Sequence, residues 1–85
     1  MLKNILDGEL PSSVFKKMLI ENPALTNIDL SNLFANEFVN LDSEATPLIW
    51  HWQRPGKQQG LSDENIDALI LKMLEDSGYL VSKQS

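Results

Sequence analysis

Both tryptophans, the single histidine and the single arginine of this chain fall within Trp50-His51-Trp52-Gln53-Arg54. Lys57 follows, in the loop Arg54-Pro55-Gly56-Lys57-Gln58-Gln59-Gly60. These residue types bind more readily than they react. An indole presents a large apolar face and keeps one N–H donor at its edge. Arg54, four positions after Trp50, can lie over the indole as a cation–π pair worth about 0.5–1 kcal/mol when exposed. Tryptophan and arginine are also enriched among the side chains that dominate protein–protein binding energy. The candidate partner-binding residues are therefore Trp50, His51, Arg54 and Lys57. Trp50 would be the desolvated anchor, His51 would sit at the rim, and the two cations would set orientation and association rate.

Other chemistry finds little to build on. The chain has no cysteine, hence no thiolate nucleophile, disulfide or thiolate metal site. No nucleophile elbow of the GxSxG kind occurs. His51 has no second histidine to share a metal with, so it is expected to be a half-exposed structural residue. It is also the one candidate pH sensor, because only histidine has an unperturbed pKa near ~6.5. Asp63 and Asp67, one helical turn apart, could share a cation, but they lack the alternating oxygen ligands and central glycine of an EF-hand. The loop 54–60 has glycines at 56 and 60 but not the GxxxxGK[ST] spacing of a phosphate cradle. It is expected to be a helix–helix connector. No catalytic residue, metal or cofactor is assigned, and the chain is read as non-enzymatic.

One segment resembles a carrier. Asp42-Ser43 near a helix start, in an acidic helical chain of this length, is similar to the Asp-Ser-Leu motif of acyl carrier proteins. The resemblance implies a phosphopantetheine group on Ser43. It departs from that family at Glu44, at Pro47, and in the Trp-His-Trp that follows. The plainer expectation is that Asp42 or Ser43 caps a helix.

The net charge is −5, with 12 acidic and 7 basic residues. The acidic residues are spread along the chain, and phosphate contacts need clustered lysine and arginine, so nucleic acid is disfavoured. A helix-turn-helix reading would use the last helix as reader. Its exposed positions are expected to include Asp67, Glu75 and Asp76 against only Lys72. No apolar run approaches the ~18 residues of a membrane span. The start, Met1-Leu2-Lys3-Asn4-Ile5-Leu6-Asp7, has no long apolar stretch of a signal peptide. A cytoplasmic location, without membrane contact, is the expectation.

Helices must position these groups. In the last, Ser62 is the N-cap, Asp63 and Glu64 face the positive end of the dipole, and Leu61 and Ile66 form a hydrophobic staple. Ile66, Leu69, Ile70, Met73 and Leu74 make its apolar face, and Gly78 ends it. An earlier helix begins at Thr26, capped reciprocally by Asp29, with Leu25 and Leu30 as a staple. It buries Leu30, Leu33, Phe34, Phe38 and Leu41 and ends near Asn40. A third starts at Asp42 or, more cleanly, at Thr46 with Pro47 in the first helical position, and runs to about Gln53 before Pro55. The first main helix spans about Ser13 to Asn22, with Val14, Phe15, Met18, Leu19 and Ile20 over a broad arc.

At 100° per residue, Trp52 shares a face with Leu41, Ala45, Leu48 and Ile49 and belongs to the core, whereas Trp50 points to nearly the opposite side. Large aromatics in small domains are usually buried. Trp50 is therefore expected first to cover the space beneath loop 55–61 or to pack on the N-terminal segment, and second to stand exposed as an anchor. Leu71 lies outside the main face of the last helix. Either the N-terminal segment buries it or it extends an apolar patch through which the chain could homodimerise.

The chain thus reads as all-α, a compact orthogonal bundle of four to five short helices in one domain, 1–85. Residues 1–8 would form an extra N-terminal turn and 80–85 a frayed tail. The expected function is a protein–protein interaction module: a small adaptor, regulator or inhibitor-type protein whose partner is another protein. The alternatives are a carrier modified on Ser43 and a helix-turn-helix regulator.

Overall fold

A computed structural model describes residues 2–38, 41–56 and 59–79, with the side chains of Asp42 and Ser43 outside that description. The expected frayed tail at 80–85, and Lys57, fall outside the described residues.

A short 3-10 turn at Leu2–Ile5 precedes α1 (Pro11–Glu21), α2 (Asn27–Glu37), α3 (Asp42–Trp50) and α4 (Asp63–Asp76). Among the described residues the only strand-like feature is one parallel bridge between Trp52 and Leu61. The fold is all-α and compact: its radius of gyration is 11.9 Å, near the ~12 Å expected of a packed chain of this length.

The termini of α2 and α4 follow from local chemistry. The Thr26 hydroxyl accepts from the Asp29 amide at 3.1 Å while the Asp29 carboxylate accepts from the Thr26 amide at 2.9 Å, a complete capping box. Ser62 accepts from the Asn65 amide at the start of α4. At its end, Gly78 takes φ +90°, and the amides of Gly78 and Tyr79 reach the carbonyls of Glu75 and Leu74 at 3.0 Å each. That paired closure returns Tyr79 to the core, edge-on to Phe38 at 5.3 Å between ring centroids.

α1 has a different cap. It begins at Pro11, and Leu10 before it offers no side-chain acceptor. The free Ser12 amide donates instead to Asp67 of α4 at 2.7 Å, and the Ser12 hydroxyl donates to the other Asp67 oxygen at 2.8 Å. Asp67 is therefore buried, not on a solvent face as a nucleic-acid reader or a shared cation ligand would require.

α3 starts at Asp42, not Thr46, so Pro47 lies inside it. Interior proline removes one backbone bond. The longer helix compensates by placing Ala45 and Ile49 in the core in line with Leu41, all at most 1% exposed. α3 also stops at Trp50 rather than near Gln53. Beyond it the backbone pairs with residue 61: the Leu61 amide donates to His51 O at 2.6 Å, and the Gln53 amide to Leu61 O at 2.7 Å. Gly60 makes this approach possible. Its φ is +126°, and a Cβ there would lie 2.2 Å from the His51 carbonyl oxygen.

One hydrophobic cluster joins all five elements, from Leu2 and Ile5 through Phe15, Phe34, Ile49 and Trp52 to Leu74. The N-terminal turn expected at 1–8 is thus present as Leu2–Ile5, with both end residues buried. α1 begins two residues earlier than Ser13, and α2 ends at Glu37 rather than Asn40. Three apolar positions depart from expectation. Ile20, Leu33 and Leu69 are exposed, whereas Leu71 packs half-buried against the core.

Candidate functional site

The two indoles separate completely. Trp52 is 0% exposed and Trp50 is 47% exposed. Trp52 leaves the helix and enters the core, 5.4 Å from the ring of Phe15. Its Nε1–H donates to Asp63 Oδ1 at 2.9 Å. The other Asp63 oxygen accepts from Lys16 Nζ, so one carboxylate joins the 50–54 segment, α1 and α4. These two hydrogen bonds, Lys16 first and Trp52 second, hold the Asp63 carboxyl below its ordinary pKa.

Trp50, half exposed, reaches α2 through its ring nitrogen. Its Nε1–H donates to Ser31 Oγ at 2.9 Å, and the Ser31 hydroxyl donates to Ile28 O at 2.7 Å. Ile28, one turn before Ser31, is 55% exposed. The expected burial of Trp50 is therefore corrected. The indole edge finds a partner that orients the ring while about half of the residue remains exposed.

Arg54 does not stack on Trp50. Its Nη1 donates to Asn27 Oδ1 at 3.3 Å, and among the described residues no cation–π pair joins the two. Asn27, the first residue of α2, explains this. Its amide donates to Trp50 O at 3.3 Å and Trp52 O at 3.1 Å, while its oxygen receives the guanidinium. The Trp50 carbonyl is one of the helix-end acceptors that lack an intrahelical donor, and Asn27 satisfies it from another element. A single side chain thus fixes the exit from α3 and the place of Arg54.

His51 is exposed beside Trp50. Three of the four expected binding residues, Trp50, His51 and Arg54, thus share the junction of α2 with the end of α3, and Lys57 is outside the described residues. Ser43 lies in the first turn of α3, and its side chain is outside them as well. Among the described residues no group of three or more His, Asp or Glu that could hold a metal ion forms. No helix there is long and apolar enough to cross a membrane.

Arg54 and Pro55 also wall a shallow apolar groove of about 350 Å³, completed by Lys16, Leu19, Ile20 and Pro23 at the end of α1. Ile20 is 79% exposed at this edge. The surface therefore runs from Ile20 and the two prolines, through Arg54 and Asn27, to Trp50 and Ile28.

Sequence reasoning missed Asn27, Ser31 and Ile28. Asn27 and Ser31 stand four apart, in step with buried Leu30 and Phe34, so two polar side chains occupy an otherwise apolar register. That mismatch was the available signal.

Comparison with protein-family models finds no match, and neither curated proteins nor solved structures give a significant one.

Proposed function

We propose that this chain is a non-enzymatic protein-interaction module whose contact face centres on Trp50 and extends over Ile28, His51 and Arg54. The observation carrying the reading is a half-exposed indole locked by its own N–H. Trp50 presents apolar area with little rotamer freedom left to lose, and an anchor fixed in advance lowers the ordering cost of association. Ile28 adds apolar area beside it. Arg54, held by Asn27, supplies a cation at the edge, where electrostatics governs orientation and encounter rate more than affinity. These are properties of a binding surface. Lys57 belongs to the proposal as the second cation of the adjoining loop.

Site-specific photo-crosslinking tests it. A photoreactive phenylalanine analogue is placed at Trp50 or Ile28, with Glu75 on the exposed side of α4 as control. In cells that make the protein, positions 50 and 28 are expected to give the same discrete adduct and position 75 none. Adducts independent of position, or an adduct only at 75, would overturn the assignment of this face.

A further inference from the structure

We infer that the groove between the end of α1 and the Arg54–Pro55 turn receives a segment of another protein that carries an apolar side chain next to a carboxylate. This names the partner chemistry of the proposed contact face and rests on that reading for its Arg54 end.

Charge pairing carries the argument. The chain has 12 acidic residues and a net charge of −5, so intramolecular partners for a cation are plentiful. Lys3, Lys16 and Lys17 reach Glu37, Asp63 and Glu9 respectively, and Lys72, on the exposed side of α4 and outside the groove, has no ion pair among the described residues. Arg54, the single arginine, reaches only the neutral amide of Asn27, and among the described residues it pairs with no carboxylate. The nearest acidic groups do not change this. Asp63 is committed to Lys16 and Trp52, and Glu64 lines the hollow on the other side of Arg54 without pairing with it. A guanidinium offers a planar fork of donors matched to a carboxylate, so Arg54 leaves a charge-assisted pairing available.

The groove supplies the second half. Leu19, Ile20, Pro23 and Pro55 form an apolar wall directly beside Arg54. Ile20 is 79% exposed at its lip, and Lys16 lines its edge with its ammonium already paired to Asp63, which leaves Arg54 as the cation open to a partner. Apolar wall and unneutralised arginine lie within one cavity, which fits an aliphatic or aromatic side chain seated against the prolines with its neighbouring Asp or Glu on the guanidinium.

Selection from a random-peptide display library on the immobilised chain tests this, followed by affinities of the synthetic consensus peptide for wild type, Arg54→Glu, Arg54→Lys, Ile20→Ser and Trp50→Ala. Ile20 is largely in solvent and Arg54 bonds one side chain, so thermal melts will confirm that these variants fold. The expected consensus has Asp or Glu adjacent to Leu, Ile, Met or Phe. Arg54→Glu should weaken the consensus peptide about tenfold or more. Ile20→Ser should weaken it severalfold, and Arg54→Lys should keep only part of the affinity, because an ammonium cannot reproduce the two-donor fit. A consensus without acidic residues, affinity indifferent to Arg54→Glu, or failure to enrich any sequence would overturn the inference. Peptides that depend on Trp50 but not on Arg54 or Ile20 remove the groove and leave the Trp50 face standing; peptides that depend on none of the three remove both.

Discussion

Trp50 and Trp52 are separated by one residue, and the two regions they head are built by opposite rules. Around Trp52 the polar groups tie elements together. The indole N–H goes to Asp63, Asp63 also takes Lys16, Asp67 takes both donors of Ser12, and residues 51 and 53 bond the backbone of Leu61. Around Trp50 the polar groups only orient. Ser31 holds the ring edge and Asn27 holds Arg54, while Trp50 and Ile28 stay about half exposed. The first region spends its side chains on joining α1, the 50–54 segment and α4. The second fixes side chains without covering them. What distinguishes a structural tryptophan from a candidate contact here is thus not whether its N–H is satisfied, since both are, but whether its ring is enclosed.

That contrast can be broken at several points. The largest effect is expected at the core indole. Trp52→Ala should lose about 3–5 kcal/mol of unfolding free energy, against at most about 1 kcal/mol for Trp50→Ala, measured by urea titration. Equal losses would erase the distinction. Next comes Gly60→Ala, where a positive φ and a methyl pressed on the His51 carbonyl should cost roughly 1–3 kcal/mol and open the 52–61 bridge. Loss of amide-exchange protection at Gln53 and Leu61 would accompany it. Asp67→Ala leaves the Ser12 donors unpaired and should cost about 1–3 kcal/mol, read from the same titration.

A smaller effect concerns pH. Asp63 has its carboxyl pKa lowered in the folded state, and so does Asp29, through the Thr26 amide and then its hydroxyl. A depressed folded value means the unfolded chain binds the proton more tightly. The stability each carboxylate contributes is therefore present above the ordinary value of 3.8 and is lost as pH falls below it. Melting temperatures should fall on acidification below about pH 4, and Asp63→Asn should flatten that dependence in part, with Asp29 retaining the remainder. An unchanged slope in Asp63→Asn would show that the Lys16–Asp63–Trp52 junction adds nothing.

How much of this was legible in the chain depends on how local the cause was. The starts of α2 and α4 and the closure at Gly78 were readable, because cap and recipient lie within a few residues: Thr26 with Asp29, Ser62 with Asn65, Tyr79 with Leu74. The core place of Trp52 was readable from helical rotation, although α3 ends before it and the position is reached by a bridge instead, whereas the exposure of Trp50 ran against the general tendency of large aromatics to be buried. The end of α3 was misplaced because its stop is the pairing of residues 51 and 53 with Leu61, which spacing along a helix does not reveal. Its start was misplaced because a local steric rule for Pro47 was given more weight than burial of Ala45 and Ile49. The Asp67–Ser12 cap spans 55 residues and has no local signature beyond a carboxylate in step with Ile66 and Ile70.

The enclosure of one indole and the openness of the other are most directly tested by acrylamide quenching of two single-tryptophan proteins, Trp50→Phe and Trp52→Phe. The account predicts that the fluorescence of Trp50, remaining in Trp52→Phe, is quenched severalfold more steeply than that of Trp52, remaining in Trp50→Phe. Equal shielding of both rings in the folded monomer would contradict it, and with it the claim that this chain presents a fixed aromatic contact to a partner.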